Sequence, residues 1–431
     1  MGFKRFRIIA VAAAFLVVAA FFVLMLGNYG RTAPSGKDAL GEEALSGEEE
    51  TGETGDGAGE KEGYADLKSA GVGSVRDDEE SGGSGGPERK EVLSDEDWPY
   101  VDVLLSSVNR DIKIMVTFRD GGLAAGIPFR AEISKGGKVS EYEDSDKDGI
   151  ITASDLPGGK YTVHLKSHPG VITPENDSSV TVRSDITYEK VDYIRTLIKT
   201  EDQVDAEAED TAELGEEDDG ALLKAGEIDL AHGTIGIDVS KYNKDIDWEK
   251  VRDAGIEYAV IRMGYRGSGT GALVKDPYYD RNLRGAEEAG LKIGVYFFTQ
   301  ALNETEAIEE ASMVESLVSK EELSLPVFLD VESSGGRGDA VDRDQRTRNI
   351  RAFIETLQND GYRAGFYANK TWLNKYINAG ELIDYPLWLA QYKVKRPTYE
   401  GKYDMWQYSS RGQVEGIQGN VDLNLNISLG D

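Results

Sequence analysis

The chain has 431 residues, enough for two or three domains. Its formal net charge of −31 argues against a nucleic-acid partner, which needs a basic patch, and suits a chain kept soluble by self-repulsion. There is no cysteine, so disulfides, thiolate metal sites and cysteine nucleophiles are excluded; of the three histidines, His164 and His168 lie mid-chain and His232 stands just before the first strand of the C-terminal region at Thr234. A Ser-His-Asp triad or a histidine-rich zinc site is therefore disfavoured there, and carboxylates are the natural candidates for any catalysis.

At the N-terminus, residues 8–26 are 19 consecutive apolar residues, about the length of one membrane-spanning helix. Lys4, Arg5 and Arg7 precede the run and acids follow it, which places the bulk of the chain outside the cytoplasm. A cleaved signal peptide is the rival, but its apolar region is usually shorter and ends in an A-x-A-like site, and none is evident here. Residues 1–30 are accordingly expected to be an uncleaved signal anchor, with the protein at the cell membrane or secreted to the cell wall. Residues 31–96 are rich in Gly, Ser, Glu and Asp and too poor in apolar residues to bury a core, which predicts a disordered acidic linker.

Residues 97–199 alternate apolar and polar in strand fashion ("DIKIMVTFRD", "IPFRAEIS", "KYTVHLKSH", "SSVTVRS"), with turn signals spaced for a small β-sandwich. The stretch "DSDKDGIITASDLPGGKYTVHL" resembles collagen-adhesin B-type, prealbumin-like repeats through Asp146 to Gly149, Leu156 to Gly159 and Tyr161. It also half-matches a calcium loop, with Asp144, Asp146, Asp148 and Gly149 at positions one, three, five and six. Asp155 stands at position twelve in place of a bidentate Glu and no helices flank the loop, so an ordinary Asp/Gly turn is the simpler reading and no metal or cofactor is expected. This domain offers no cluster of catalytic residue types, so deleting residues 100–195 is expected to leave activity on soluble fragments intact. A second acidic linker covers 200–230; within it, residues 201–219 hold eleven acids and no base.

From 231 to 431 strands alternate with helices. Eight candidate strands ("TIGIDVS", "EYAVIRMGY", "KIGVYFFT", "LPVFLDVE", "RAGFYAN", "PLWLAQY", "YDMWQYSS", "VDLNLN") with helices mainly after the first five predict an α/β barrel of the TIM type that loses helices near its end. The fourth strand is expected over Pro326 to Glu332, with Phe328, Asp330 and Glu332 on one face. Chemistry in such barrels sits at the C-terminal ends of the strands. Asp238 lies near the end of the first strand, Asp330 and Glu332 close the fourth, and Asp422 lies in the last. Each has a bland reading as a strand-end turn or cap, but four acids at one rim would meet in one cleft, and an acid pair suits glycosidic hydrolysis. Tyr296 and Phe298, Tyr367, Trp388 and Tyr392, and Trp406 and Tyr408 are expected near the same rim, where Trp and Tyr suit stacking on sugar rings as well as barrel filling.

The segments "GIDVSKYNKDIDWEKVRDAGIEYAVIRMGY", "GVYFFT", "PVFLDVES", "GFYAN", "LWLAQY" and "MWQYSSRGQVEGIQGNVDLN" resemble, in order, the family-25 glycoside hydrolases, muramidase-type lysozymes of bacteria and phages. The resemblance implies five β/α units followed by three strands. It also implies cleavage of the β-1,4 bond from N-acetylmuramic acid to N-acetylglucosamine in peptidoglycan. By it, Glu332 is the general acid/base, Asp330 orients or stabilises the 2-acetamido group, and Asp238 and Asp422 are the other active-site acids. Tyr296, Phe298, Tyr367, Trp388, Gln391, Trp406 and Tyr408 are then substrate-binding candidates, and peptidoglycan glycan strands the partner of a monomer. The chain departs from many members at Lys241 to Lys244, which leaves local sugar contacts open. The alternative, from a different class, is a non-catalytic wall-binding or adhesion protein.

Overall fold

The computed structural model describes residues 98–204, 230 and 233–429. The expected anchor at 1–30 and linker at 31–96 lie outside the described residues, as does most of the second linker. Among the described residues no helix is long and apolar enough to cross a membrane.

The first part is a two-sheet β-domain. Its strands are β1 (Val101–Ser106), β2 (Ile112–Phe118), β3 (Arg130–Lys135), β4 (Lys138–Glu143), β5 (Ile150–Ala153), β6 (Gly159–Leu165) and β7 (Ser178–Val182). One antiparallel sheet runs β1-β2-β5 and the other β4-β3-β6-β7. Alternation in "IKIMVTF" sends Ile112, Ile114 and Val116 into the core between the sheets, with Ala131, Ile133, Val163 and Leu165 opposite. The chain crosses from one sheet to the other through the Asp144–Gly149 turn between β4 and β5, where Gly149 takes φ 87°. Burial, aided by neighbouring Asp146 and Asp148, pushes the Asp144 carboxyl up to about 6.

A short helix, α1 (Ile194–Leu197), and a two-residue strand, β8 (Ile198–Lys199), lead to the barrel. There follow β9 (Thr234–Val239), α2 (Trp248–Asp253), β10 (Tyr258–Arg266), β11 (Leu273–Lys275), α3 (Tyr279–Glu288), β12 (Lys292–Phe298) and α4 (Glu304–Leu317). After these come β13 (Val327–Asp330), α5 (Arg343–Asn359), β14 (Ala364–Asn369), α6 (Lys370–Lys375), β15 (Leu387–Ala390), β16 (Met405–Gly412) and β17 (Val421–Asn426). Strands β9-β10-β12-β13-β14-β15-β16 are parallel neighbours, and β17 closes the ring antiparallel to both β16 and β9. All eight expected strands are present. The three-residue β11, which pairs with the end of β10 and with β8, was too short to carry a periodic signal.

Alternation sorts every strand into two layers. Ile237, Ile261, Val295, Val327, Leu329, Phe366 and Leu389 face the helices, meeting Val251, Ile308 and Phe353. Tyr258, Val260, Tyr296, Phe328, Tyr367, Trp388 and Met405 fill the barrel interior. Side chains of Asp247, Asn303, Asp342 and Asn369 cap α2, α4, α5 and α6 by accepting a backbone N–H, which fixes where these four helices begin.

The β-domain is docked on the barrel. The second face of β2 presents Met115, fully buried in the barrel's helix layer, and Lys113, which pairs with Glu309 of α4. Tyr193 Oη donates to the same Glu309 at 3.1 Å, and Ser312 Oγ accepts the Val191 N–H at 3.0 Å. Glu309 also meets Arg266 at 3.2 Å, so a buried acid on α4 joins two cations from opposite sides of the contact.

Candidate active site

The C-terminal ends of the barrel strands open into a cleft of about 530 Å³ lined by Asp238, Asp330, Glu332 and Asp422. Asp238 sits one residue before the end of β9, and the antiparallel register places Asp422 of β17 directly beside it. Asp330 is the last residue of β13. Glu332 stands two residues beyond that strand, not within it as expected, because the ladder ends once the Val331 N–H bonds the Tyr367 carbonyl at 3.0 Å. Asp238 and Asp330 are buried, whereas Glu332 and Asp422 are half-buried and reach solvent.

A chain of donors converges on Asp238. Gln407 Nε2 and Asn424 Nδ2 donate to its Oδ2 at 2.9 and 2.7 Å. Tyr367 Oη and Tyr392 Oη donate in turn to Gln407 Oε1 at 2.9 and 2.5 Å, which fixes the amide so that its N–H points at the acid. Trp388 Nε1 donates to Asn424 Oδ1 at 2.8 Å and orients that amide likewise. Burial raises the Asp238 carboxyl to about 6, against the lowering effect of Asn424, Gln407 and Asp422. Burial likewise pushes the phenols of Tyr296, Tyr367 and Tyr392 far up, so they remain neutral donors.

The loop carrying Glu332 is tied down on its far side. Asp339 accepts from Ser333 Oγ at 2.8 Å and from the Ser334 and Gly335 N–H groups at 3.1 and 3.0 Å. Arg337 pairs with Glu306 of α4 at 2.9 Å. A half-buried carboxylate on a braced loop beside two buried acids is a setting in which protons can be given and taken across a bound substrate.

The sequence profile of the glycosyl hydrolases family 25 matches residues 237–417. The Escherichia coli K12 protein YegX is 32% identical over 203 residues, which are 46% of this chain and 71% of that protein. The chain belongs to the glycosyl hydrolases family 25. An autolytic lysozyme of Clostridium acetobutylicum is 32% identical over 188 residues; the match is 44% of this chain and only 54% of that relative's length. Among solved structures, the bacterial lysozyme from Streptomyces coelicolor shares 28% identity over 46% of this chain and 94% of its own, with a TM-score of 0.40.

Of the candidate residues in this family-25 barrel, Asp238, Asp330, Glu332, Asp422, Tyr296, Tyr367 and Trp388 meet at the cleft, as does Tyr392. Four others do not line it. Phe298 is buried under the β10–β11 hairpin against Tyr265 and Val274. Trp406 and Tyr408 do share a face, but it is the outer one, where they pack with Leu425. Among the described residues no helix stands between β15 and β17, so β16 covers its outer surface with its own large side chains. Gln391 lies behind the wall: its amide bonds Thr398, and its carbonyl accepts Trp406 Nε1 at 2.8 Å. Trp388 forms the cleft floor, only 2% exposed and packed edge-on against Phe328, Tyr367 and Tyr296.

Sequence reasoning missed Gln407, Asn424 and Arg262. Asn424 had a signal, since it stands two residues after Asp422 on the same strand face. Gln407 had a weaker one, a lone amide between two aromatics. Arg262 is a buried cation in the cleft wall, paired with Asp276 at 2.8 Å and lying against the Tyr242 and Tyr265 rings. The unusual Lys241 turns away from the cleft to pair with Glu201 at 2.5 Å, leaving Tyr242 and Asn243 at the edge.

Proposed function

We propose that this chain is a peptidoglycan hydrolase that cleaves the β-1,4 bond between N-acetylmuramic acid and N-acetylglucosamine. The observation that carries the reading is the convergence of four carboxylates on one open cleft in a family-25 barrel. The names of two relatives, an autolytic lysozyme and lysozyme M1 of Streptomyces globisporus, support it.

In this reading Glu332 is the general acid/base, because it alone of the four sits on a loop that reaches solvent, where a leaving oxygen or an incoming water could meet it. Asp330, fixed at the strand end, orients the 2-acetamido group or balances the positive charge of the transition state. The Asp238–Asp422 pair holds the sugar hydroxyl or amide side from the opposite wall. The β-domain is prealbumin-like. The apolar run at 8–26 anchors the chain in the membrane with its folded part outside, or directs its secretion to the wall.

The test is loss of turbidity of purified cell walls on adding the chain, with reducing-end analysis of the products. Glu332→Gln should lower the rate by about 10²–10⁴-fold with the thermal midpoint unchanged, since it keeps the shape and removes the transferable proton. Near-normal rates in a folded Glu332→Gln protein would remove it as the acid. Intact walls with folded wild-type protein present would favour the non-catalytic glycan-binding reading, and new amines without new reducing ends would indicate an amidase or peptidase.

A further inference from the structure

We propose that the Asp144–Gly149 turn of the β-domain is a calcium-binding site that pins its two sheets together. Asp144, Asp146 and Asp148 each offer a carboxylate oxygen, and these oxygens lie within 4.8 Å of one another. Spacing alone allows an ordinary Asp/Gly turn, and an acidic cluster on a surface would need no ion. What separates this turn from that case is Asp144, whose residue is only 1% exposed. Its Oδ2 accepts the Gly149 N–H at 3.0 Å, while its Oδ1 is buried and accepts nothing. A buried carboxylate oxygen without a donor is costly, and the two further carboxylates beside it make the local field more negative. A cation bound among the three meets both demands at once.

The donor set selects the cation. All the ligands are oxygens, which suits a hard ion. Asp148 Oδ1 already accepts the Ile150 N–H at 2.8 Å, leaving its second oxygen for the metal. Asp155, at the position where a bidentate acid closes a complete calcium loop, is exposed and outside the cluster. Three side chains of irregular geometry, with main chain or water completing the shell, suit calcium, which tolerates six to eight flexible ligands. Magnesium demands a near-ideal octahedron. Such a reduced set places the dissociation constant at about 10⁻⁴–10⁻³ M, the weak class of loop sites.

Position gives the site its role. The turn leaves the four-stranded sheet at the end of β4 and enters the three-stranded sheet at the start of β5. Its Lys147 carbonyl accepts the Gly126 N–H at 2.7 Å and the Asp144 N–H bonds the Phe129 carbonyl at 2.9 Å, so the turn is stitched to the connection between β2 and β3 as well. An ion here fastens both sheets, and through β5 and β2 it steadies the strand that docks on the barrel.

The experiment takes the full chain stripped with a chelator and measures calcium binding by equilibrium dialysis and thermal midpoint against added CaCl₂ or MgCl₂. The chain carries 79 acidic residues, so diffuse binding must be separated from the site. Millimolar calcium should raise the midpoint by about 2–4 °C. Asp146→Asn, an exposed change that spares the fold, should abolish that shift, remove one bound calcium and weaken affinity at least about tenfold. Asp210→Asn in the acidic run should change neither. A midpoint indifferent to calcium, a shift that persists in Asp146→Asn, or an equal response to magnesium would each overturn the proposal.

Discussion

Asp238 shows how a single buried acid is held by geometry and strained by solvation. Two amides donate to one of its oxygens, yet burial still raises the carboxyl from 3.8 to about 6. Because the folded value lies above the unfolded one, the folded chain holds a proton between about pH 4 and 6 that the unfolded chain has released. Stability from this group is therefore fully present below about pH 4, falls as pH rises to 6, and is absent above. Asp238→Asn removes the ionisation, and its amide oxygen can still accept from Gln407 and Asn424. It should raise stability at pH 7 by on the order of 1–3 kcal/mol, flatten the pH 4–6 slope, and lower lytic turnover. Urea unfolding at pH 4.5 and 7.5 checks this. A variant no more stable than the parent at pH 7.5 would show that the acid is not strained in the folded chain.

Among the elements, β9 and β10 decide where that acid stands. Gly236 is paired with Tyr258 across the two strands, and a Cβ added at Gly236 would lie 2.3 Å from the Tyr258 ring. Tyr258 is 1% exposed inside the barrel and has nowhere to go. Gly236→Ala should therefore cost about 1–3 kcal/mol and lower the thermal midpoint by several degrees. It should also slow catalysis by shifting Asp238, two residues along the strand. An unchanged midpoint would mean that the interior can accommodate the methyl group. The strands themselves were readable, since apolar runs bounded by Gly, Pro and Asx signal them whatever they pack against. Which face of a strand looks inward was not. In "MWQYSS" the large aromatics suggested a sugar platform, yet register against β15 and β17 turns Gln407 inward and Trp406 outward.

Over the whole molecule, the β-domain is part of the barrel's burial and not a detached spacer. Met115 of β2 is buried in the barrel's helix layer and Lys113 pairs with Glu309 of α4, which depends on Lys113, Tyr193 and Arg266. Removing residues 100–195 would bare that apolar face and strip a cation from a buried acid, so loss of barrel stability is now the expected result, contrary to the expectation from sequence. The sharper test is Lys113→Ala. It should cost on the order of 1–3 kcal/mol, less than the 3–5 typical of breaking an isolated buried pair, because Arg266 still neutralises Glu309. Lysis of soluble glycan well below the midpoint should be unchanged. A midpoint equal to that of the parent would mean that the domains contribute independently to stability.

Local chemistry is what the sequence determined by itself: the absence of cysteine, the poverty of histidine, eight barrel strands, and the acids at Asp238, Asp330, Glu332 and Asp422. Those features depend on residue type and short-range periodicity, which survive without knowledge of partners. The tertiary structure alone decided the rest. It selected Gln407 and Asn424 as the groups that hold Asp238, excluded Phe298, Gln391, Trp406 and Tyr408 from the cleft, and seated β2 on α4. It also buried one oxygen of Asp144 without a donor. Each of these depends on which residues from distant parts of the chain meet and how much water they exclude, and burial of that kind is a property of the packed molecule and not of any segment.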